Sequence, residues 1–568
     1  MKNDTQEKSG QITLTAGGAV LARMKAIGID YIFANSGTDF PPIIEGLAEA
    51  AAKDIDLPHA LIMPHENAAM GMAHGYYLAT GKTQAVMAHT NVGLANCAIG
   101  AINAATEHVP VVLMSGRTPV MEKGRLGART VPIGWGQEMR DQAALVRESS
   151  KWEYELKFPE QVPEVVDRAY AIASSVPKGP TYVSLPREVL CEPCPGDEID
   201  GPLRMQPVPV APPQASVEQA ADILANAKNP VIIAQRGTGT AEAFKRFGDL
   251  VDQWGIPVVQ YWAIQLAIGT EHPMFAGMDP APWLKDADAV VVIDCLAPWS
   301  PDIHTLRPDC KVVQIGQNPL YSRFPGRNFA ADISLVGETG DVIMMLAEAM
   351  DRRHADHGAS CSDRRGKIAA INAETRKQAL AIANAGAVDP MTKAYVSRCL
   401  SDAIAGRAAT VFSERGCPRG PLSLSEHSSW YQEPHSGGLG WSFPASMGYQ
   451  LADKDKLYQV FQNLIENSIR YCHNDKGGAC PVTISARSDP DKVYVEISDL
   501  GIGIPKREQK KIFEMFYRAS NAVRLISVGT GLGLYMVKSI VEHFGGTIKF
   551  ESEENNGTTF YVELPVVK

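Results

Sequence analysis

Short apolar runs recur along the first 450 positions, each bounded by polar turns and separated from the next by a helix-length segment. Asp30–Ala34, Gln84–His89 and Val109–Ser115 form one group, and Pro230–Ala234, Ala289–Asp294 and Lys311–Ile315 form a second. The runs do not alternate apolar with polar, so they suit strands covered on both faces. Strands of that kind, joined through helices such as Gly17–Gly28 and Met70–Gly81, predict doubly wound parallel sheets. A third unit opens at Asp389-Pro-Met, with a helix to Ala405, a strand at Ala409–Ser413 and a Gly-rich stretch to about Gln450.

With 568 residues the chain exceeds one core and calls for about three or four domains. The predicted division is 1–190, a Pro-rich linker at 191–216, a second α/β block at 217–350, a charged, Ala-rich helical connector at 351–388, a short third unit at 389–456, and a separate domain at 457–568. The last boundary is a change of composition. Residues 457–568 hold 13 basic and 13 acidic residues, whereas the preceding 456 hold 41 and 51 and so carry the whole net charge of −10. The first 100 residues contain 18 alanines and the last 112 contain 4. The acidic balance argues against nonspecific nucleic-acid binding. No apolar run reaches the roughly 18–20 residues that cross a bilayer, and the polar start, MKNDTQEKSG, has no signal-peptide core. Ten thinly spread cysteines fit a reducing cytoplasm.

Pro64-His65-Glu66-Asn67-Ala68-Ala69 opens a helix of small residues. On spacing alone Glu66 reads as an acidic residue favoured by the helix dipole. Its surroundings resemble the thiamine-diphosphate-dependent enzymes of the acetolactate-synthase-like group. The matching motifs are His65-Glu66 with Gly71, Gly75-Tyr76 and Ala79–Lys82, the loop Thr90–Asn96, Gln137-Glu138, the central-block segments Asn229–Ile233, Asp286–Asp294 and Val313–Pro319, and Ser436–Ala445. The resemblance covers 12–452. It implies that Glu66 bonds the cofactor's aminopyrimidine, that Asn91 and Gln137 lie on active-site loops, and that Leu439, otherwise a core residue, is the wedge that bends the cofactor. It also implies a homo-oligomer, because in that family the glutamate reaches a cofactor held by a neighbouring subunit. The family's Gly-Asp-Gly motif, which anchors Mg²⁺ and diphosphate, should follow Gly448–Ala452 closely; it occurs nowhere in the sequence.

The tail carries a different set. Leu457–Tyr471 is amphipathic, with Val460, Leu464 and Ile465 on one face and Asn463 and Asn467 four apart. Strands are expected at Val482–Ala486, Val493–Asp499, Thr547–Glu551 and Thr558–Leu564. Asp499-Leu-Gly-Ile-Gly503, then Phe513, Phe516 and Tyr517, then Gly529-Thr-Gly-Leu-Gly533 complete an ordered series. Gly-rich turns at a helix start expose N–H groups that suit phosphate, and an Asn amide oxygen can ligate Mg²⁺. Together these boxes resemble the Bergerat-type ATP-binding domain of sensor histidine kinases. The resemblance implies Mg-ATP, with Asn467 as the metal ligand and Asn463 beside it, Arg470 and Tyr471 facing phosphate and nucleotide, Asp499 reading the adenine amino group, Gly501 and Gly503 admitting the base, and Gly529, Gly531 and Gly533 facing the phosphates. Ile504–Val528 would be a mobile lid. Related ATPases have a water-activating Glu where Asn463 stands, and Glu466 is out of phase to replace it, so fast hydrolysis is not expected.

The helical hairpin that bears a phosphoacceptor histidine is not found before this domain; nearby are only His427 and His435, neither in such a motif. Cys191-Glu-Pro-Cys194 lacks the second ligand pair zinc needs. Asp453-Lys-Asp-Lys456 reads as a crossover point, compatible with a natural fusion, an assembled sequence or a designed chimera. The leading expectation is a nucleotide-binding, histidine-kinase-like protein on a thiamine-enzyme scaffold without its metal anchor, with a response regulator as a conceivable partner. Thiamine diphosphate with Mg²⁺ is the less favoured cofactor. The alternatives are a working carboligase or decarboxylase and a non-catalytic regulatory protein.

Overall fold

A computed structural model describes residues 14–195, 199–472, 481–489, 491–514, 516–526 and 530–566. It divides into two compact units, Met1–Ala405 with Ala409–Tyr449, and Gly406–Ala408 with Gln450–Lys568.

The first unit begins with a six-stranded sheet: β1 (Tyr31–Asn35), β2 (His59–Ile62), β3 (Gln84–Ala88), β4 (Val111–Arg117), β5 (Glu153–Glu155) and β6 (Thr181–Pro186). The order is β2-β1-β3-β4-β6-β5 and every pairing is parallel. Helices α1 (Ala16–Ala26), α2 (Pro41–Lys53), α3 (Glu66–Thr80), α4 (Thr90–Thr106) and α5 (Val162–Ser174) accompany it. All of β3 and β4 is buried, as the continuous apolar runs require. A second parallel sheet follows: β7 (Pro230–Ala234), β8 (Val258–Val259), β9 (Ala289–Ile293), β10 (Lys311–Gly316) and β11 (Ile333–Val336), in the order β8-β7-β9-β10-β11. Its helices are α6 (Gln214–Asn226), α7 (Ala241–Trp254) and α8 (Thr339–Asp351). Thr240 caps α7 by accepting from Ala243 N at 3.1 Å, and Gly255 closes that helix in the left-handed conformation.

The segment read as a Pro-rich linker is seated at its start. Arg23 on α1 is fully buried, holds Asp167 on α5 through two 2.6 Å bonds, and donates to the carbonyls of Ile199, Gly201 and Pro202. The connector forms a long helix, α9 (Gly358–Ala385), followed by α10 (Lys393–Ile404).

The third part of this unit is small. Two short parallel strands, β12 (Val411–Ser413) and β13 (Trp430–Gln432), lead to the start of α11 (Ser442–Tyr471). Glu414 caps this helix, accepting from Trp441 N at 3.0 Å and from Ser442 Oγ at 3.0 Å. The first turns of α11 press on α3 at glycines: a Cβ on Gly75 would lie 1.9 Å from Ala445 O, and one on Gly448 2.0 Å from Met72 O. The small residues of α3 therefore permit backbone contact between helices. The helix expected from Leu457 starts upstream and runs through the supposed crossover, because Asp453-Lys-Asp-Lys456 contains no helix breaker.

In the second unit α11 continues to Tyr471, and a four-stranded antiparallel sheet forms from β14 (Val482–Ser488), β15 (Lys492–Asp499), β16 (Thr547–Glu553) and β17 (Gly557–Pro565), ordered β14-β15-β17-β16. Val460 and Leu464 of α11 pack with Val537 and Val541 of α12 (Gly533–His543) and with Ile497, Phe560 and Val562 of the sheet. Among the described residues eight cysteines are free thiols.

Three histidines of the first unit, His74 and His108 buried and His427 partly buried, give it an acid sensitivity. Burial lowers His74, His108 and His427 each to about 4. The unfolded chain takes up these protons near pH 6.5 and the folded chain only near 4. Their contribution is therefore intact above 6.5 and is lost as pH falls toward 4, each site costing up to about 3 kcal/mol. The urea midpoint of the first unit's transition should drop between pH 7 and 5, and His108→Gln should shrink the drop. A midpoint that rises on acidification would contradict this.

Candidate functional site

In the second unit the ordered boxes converge. Asn463 and Asn467, one helical turn apart on α11, both face the start of α12: a Cβ on Gly533 would lie 3.4 Å from Asn463 Oδ1 and 3.9 Å from Asn467 Nδ2. Asn463 Nδ2 donates to Gln459 O at 3.0 Å, which turns its oxygen toward the glycines. Asp499, at the end of β15, is buried, and its Oδ1 accepts from Gly501 N at 2.9 Å and Thr558 N at 3.3 Å. Burial raises its pKa above the ordinary carboxylate value and these backbone donors partly offset that. Gly501 leaves no room for a Cβ beneath Tyr471 O, 2.2 Å away, and Gly503 has φ +58° against Glu553 O.

A cavity of about 230 Å³ is lined by Asn463, Asn467, Asp499, Gly503, Gly531 and Gly533. Arg470 and Tyr471 also line it. Gly501 lies beside it, in the turn that positions Asp499, and Gly529 falls outside the described residues. Glu466 also reaches the wall, where its Oε1 accepts from Gln462 Nε2 at 2.8 Å. A buried acceptor at one end and glycine N–H groups with two amides at the other suit an adenine nucleotide. The described part of the lid is tied at its base: Asn521 Nδ2 donates to Gly503 O at 2.8 Å and Ile502 O at 3.2 Å, and Glu508 accepts from Ser520 N and Oγ.

In the first unit Glu66 is the first residue of α3 and is buried. His65 caps that helix, its Nδ1 accepting from Asn67 N at 3.1 Å. Glu66 Oε2 accepts from Asn96 Nδ2 at 2.9 Å, and Gly93 leaves space for Oε1. Asn91, expected on a loop, lies in the first turn of α4, where its Oδ1 accepts from Thr90 Oγ1 at 3.4 Å, and Asn96 of the same motif is the amide brought to the glutamate. Leu439 is half exposed, and its carbonyl accepts from Asn67 Nδ2 at 3.4 Å, which sets the expected wedge next to Glu66's helix. Gln137 is buried and reaches His89 Nε2 at 3.0 Å. His89 and its partner Asp39 were not singled out from the sequence. They stand 50 positions apart, near the carboxyl ends of two runs now seen as neighbouring parallel strands.

The residues match a thiamine cofactor only on its pyrimidine side. Where the diphosphate anchor would follow Gly448, the chain continues as α11 to Tyr471. The donor set for a metal-bound diphosphate therefore does not fit.

Comparison with known proteins agrees with this division. Residues 14–145 match the thiamine pyrophosphate enzyme N-terminal TPP binding domain, 217–346 the thiamine pyrophosphate enzyme central domain, and 452–568 the histidine kinase-, DNA gyrase B- and HSP90-like ATPase. The chain joins thiamine-enzyme domains to a histidine kinase-type ATPase domain. It is 26% identical over 355 residues to the probable acetolactate synthase large subunit of Methanocaldococcus jannaschii, covering 58% of this chain and 55% of that protein. It is 38% identical over 117 residues to the sensor histidine kinase WalK of Bacillus subtilis, covering 21% of this chain and 19% of the kinase. The chain thus spans about half of the first relative and a fifth of the second. The benzoylformate decarboxylase of Polynucleobacter necessarius shares the fold, with a TM-score of 0.62 at 18% identity over 78% of this chain and 79% of that one. Among the described residues no helix is long and apolar enough to cross a membrane.

Asn521→Ala removes both lid tethers. At about 1.4 kcal/mol for the pair, protease cleavage within 504–526 should quicken roughly tenfold while the circular dichroism spectrum stays unchanged. Unaltered cleavage would show that the tethers do not hold the lid.

Proposed function

We propose that the second unit binds Mg-ATP and that the chain is a nucleotide-binding, histidine-kinase-like protein built on a thiamine-enzyme scaffold that lacks its diphosphate anchor. The supporting observation is the single cavity wall shared by Asn463, Asn467, Asp499, Gly503, Gly531 and Gly533. On this reading the Asp499 carboxylate accepts from the adenine amino group, Gly501 and Gly503 let the base lie against backbone, and Gly529, Gly531 and Gly533 offer N–H groups to the phosphates. Asn467 holds Mg²⁺ through its amide oxygen, Asn463 supports it, and Arg470 and Tyr471 complete the rim. ATP would bring a transferable γ-phosphoryl group. Asn463 supplies no carboxylate to activate water, so turnover to ADP is slow.

Glu66, with Asn91, Gln137 and Leu439, belongs to the pyrimidine-side half of a thiamine site. A working carboligase is the second reading, favoured by the Glu66–Asn96 geometry and opposed by the missing anchor. We expect near-background pyruvate turnover. Turnover that vanishes in Glu66→Gln would support the carboligase instead. Self-association of the scaffold and a response-regulator partner belong to the same proposal. A stable monomer in sedimentation at micromolar concentration would remove the first.

Asn467→Asp and Asp499→Asn should each weaken Mg-ATP binding at least tenfold, about 1.4 kcal/mol, in calorimetric titration. Wild-type affinity in both would reject the nucleotide assignment.

Phosphate should not accumulate on histidine. His427 is partly buried with Nε2 3.2 Å from Gln265, and His435 Nε2 bonds Trp262 O at 2.8 Å. Each ring thus has its Nε2 engaged, which disfavours in-line attack through that nitrogen. Acid-labile label from γ-labelled ATP that disappears in His427→Gln or His435→Gln would overturn this.

A further inference from the structure

The sheet of the second unit has two outer strands, β14 and β16, and they are finished differently. β16 carries Lys549, Glu551 and Glu553. The base of the lid lies along its end, where Gln509 Nε2 donates to Ser552 O at 2.8 Å and Ile504 N to Ser552 Oγ at 2.8 Å. Charges and a covering loop are the usual protection of an edge whose N–H and C=O groups would otherwise pair with another strand. β14 has neither a cover nor a run of charge. Its residues, Val-Thr-Ile-Ser-Ala-Arg-Ser, include no proline, glycine or lysine. Each pairs in turn with β15, from Val482 opposite Asp499 to Ser488 opposite Val493, so no bulge interrupts the edge. Among the described residues β14 has no second neighbour in the sheet, and every residue after Val482 is exposed.

The side chains of β14 add a second point. Ile484 stands opposite Ile497 and shares its face of the sheet. Ile497 is 1% exposed in the core, whereas Ile484 is 51% exposed, so the helix layer stops short of the outer strand. Arg487, the one charge on β14, lies over the Tyr494 ring, 4.2 Å from its centre. Its charge is thereby turned back onto its own sheet.

We propose that β14 is a docking edge for β14 of a second copy of this chain, the two strands running antiparallel about a two-fold axis at Ser485. In that register Ile484 lies opposite the partner's Ala486, Thr483 opposite the partner's Arg487, and Val482 opposite the partner's Ser488. No like charges meet, and the uncovered Ile484 gains an apolar neighbour on its own face. The same strand serves both sides, so the contact closes after two copies, and the guarded β16 edges end the joined sheet. None of the cavity-lining residues of the nucleotide site lies on β14, so the contact stands apart from Mg-ATP binding and from self-association of the scaffold.

The test uses the full chain carrying Ser485→Cys, oxidised at micromolar concentration and run on a non-reducing gel. The unsubstituted chain, with its own thiols, sets the background. Residues directly opposite in an antiparallel pair lie about 4.5–5.5 Å apart at Cα, within reach of a disulfide, whereas the two copies of Ser488 would lie about 20 Å apart. The expected result is a covalent dimer well above background for Ser485→Cys and background alone for Ser488→Cys. Adding Thr483→Lys, which faces the partner's Arg487, should lower the Ser485→Cys dimer severalfold, and Thr483→Glu should preserve it. Thr483 is exposed, so neither change disturbs the core. No link above background, equal linking at the two cysteine positions, or a yield indifferent to the charge at position 483 would each overturn the proposal.

Discussion

The first unit depends on a buried charge cluster around Arg236. This residue follows β7, and its Nε donates to Glu107 Oε2 at 2.5 Å, its Nη2 to Thr106 O at 2.9 Å and its Nη1 to Asp294 O at 3.1 Å. Tyr321 closes the group with a short bond, and Glu107 Oε1 accepts from His435 N at 2.7 Å. One guanidinium thus joins the end of α4, the second sheet and the loop before α11. Burial alone would raise Glu107, but the field of Arg236 and its contact with His435 outweigh this and hold it well below the carboxylate range. Such an arrangement contributes little net energy relative to apolar packing, because desolvation offsets the attraction. Removing one partner is costly, since the other charge stays buried. The cluster therefore fixes which surfaces meet more than how tightly they meet.

The repeated parallel units could be read from the sequence because their strands are buried on both faces and leave uninterrupted apolar runs. Gln84–His89 and Ala289–Asp294 became β3 and β9 within a residue. The short strands β5, β8 and β11 carry too few apolar residues for such a signal. The small residues after Glu66 gave a correct helix but an ambiguous purpose, since space for a ligand and space for a neighbouring backbone ask for the same side chains. Gly75 and Gly448 show that here it is backbone. The tail's boxes were legible because their chemistry is local, in glycines at turns and amides four apart. The Asp39–His89 pair was not, because pairing across a sheet depends on strand order, and strand order leaves no local mark.

The two buried aspartates, Asp499 and Asp39, are used in opposite ways. Asp499 is buried with its charge met by backbone N–H groups, so its remaining acceptor capacity is directional and suits an amino group. Asp39 is buried against a histidine, so its charge is passed on as orientation and proton affinity of the ring. In both cases glycines carry the precision: Gly501 and Gly503 let the chain turn around Asp499, and Gly37 and Gly116 admit the His89 ring and the Asp39 carboxylate. Substituting any of these four would move the functional group without touching its chemistry.

The two parallel sheets of the first unit share the order of their first four strands, with different results at the reversal of strand order. In the second sheet the crevice between the ends of β7 and β9 is filled by Arg236, which is satisfied on every side by Glu107, Asp294, Thr106 and Tyr321. In the first sheet the crevice between the ends of β1 and β3 holds a shorter side chain, His89, whose outer nitrogen faces only the amide of Gln137. The topology makes a cleft in each, and the length of the residue placed there decides its use. A side chain that spans the cleft turns it into a joint between domains, and one that stops short is closed off by a single amide.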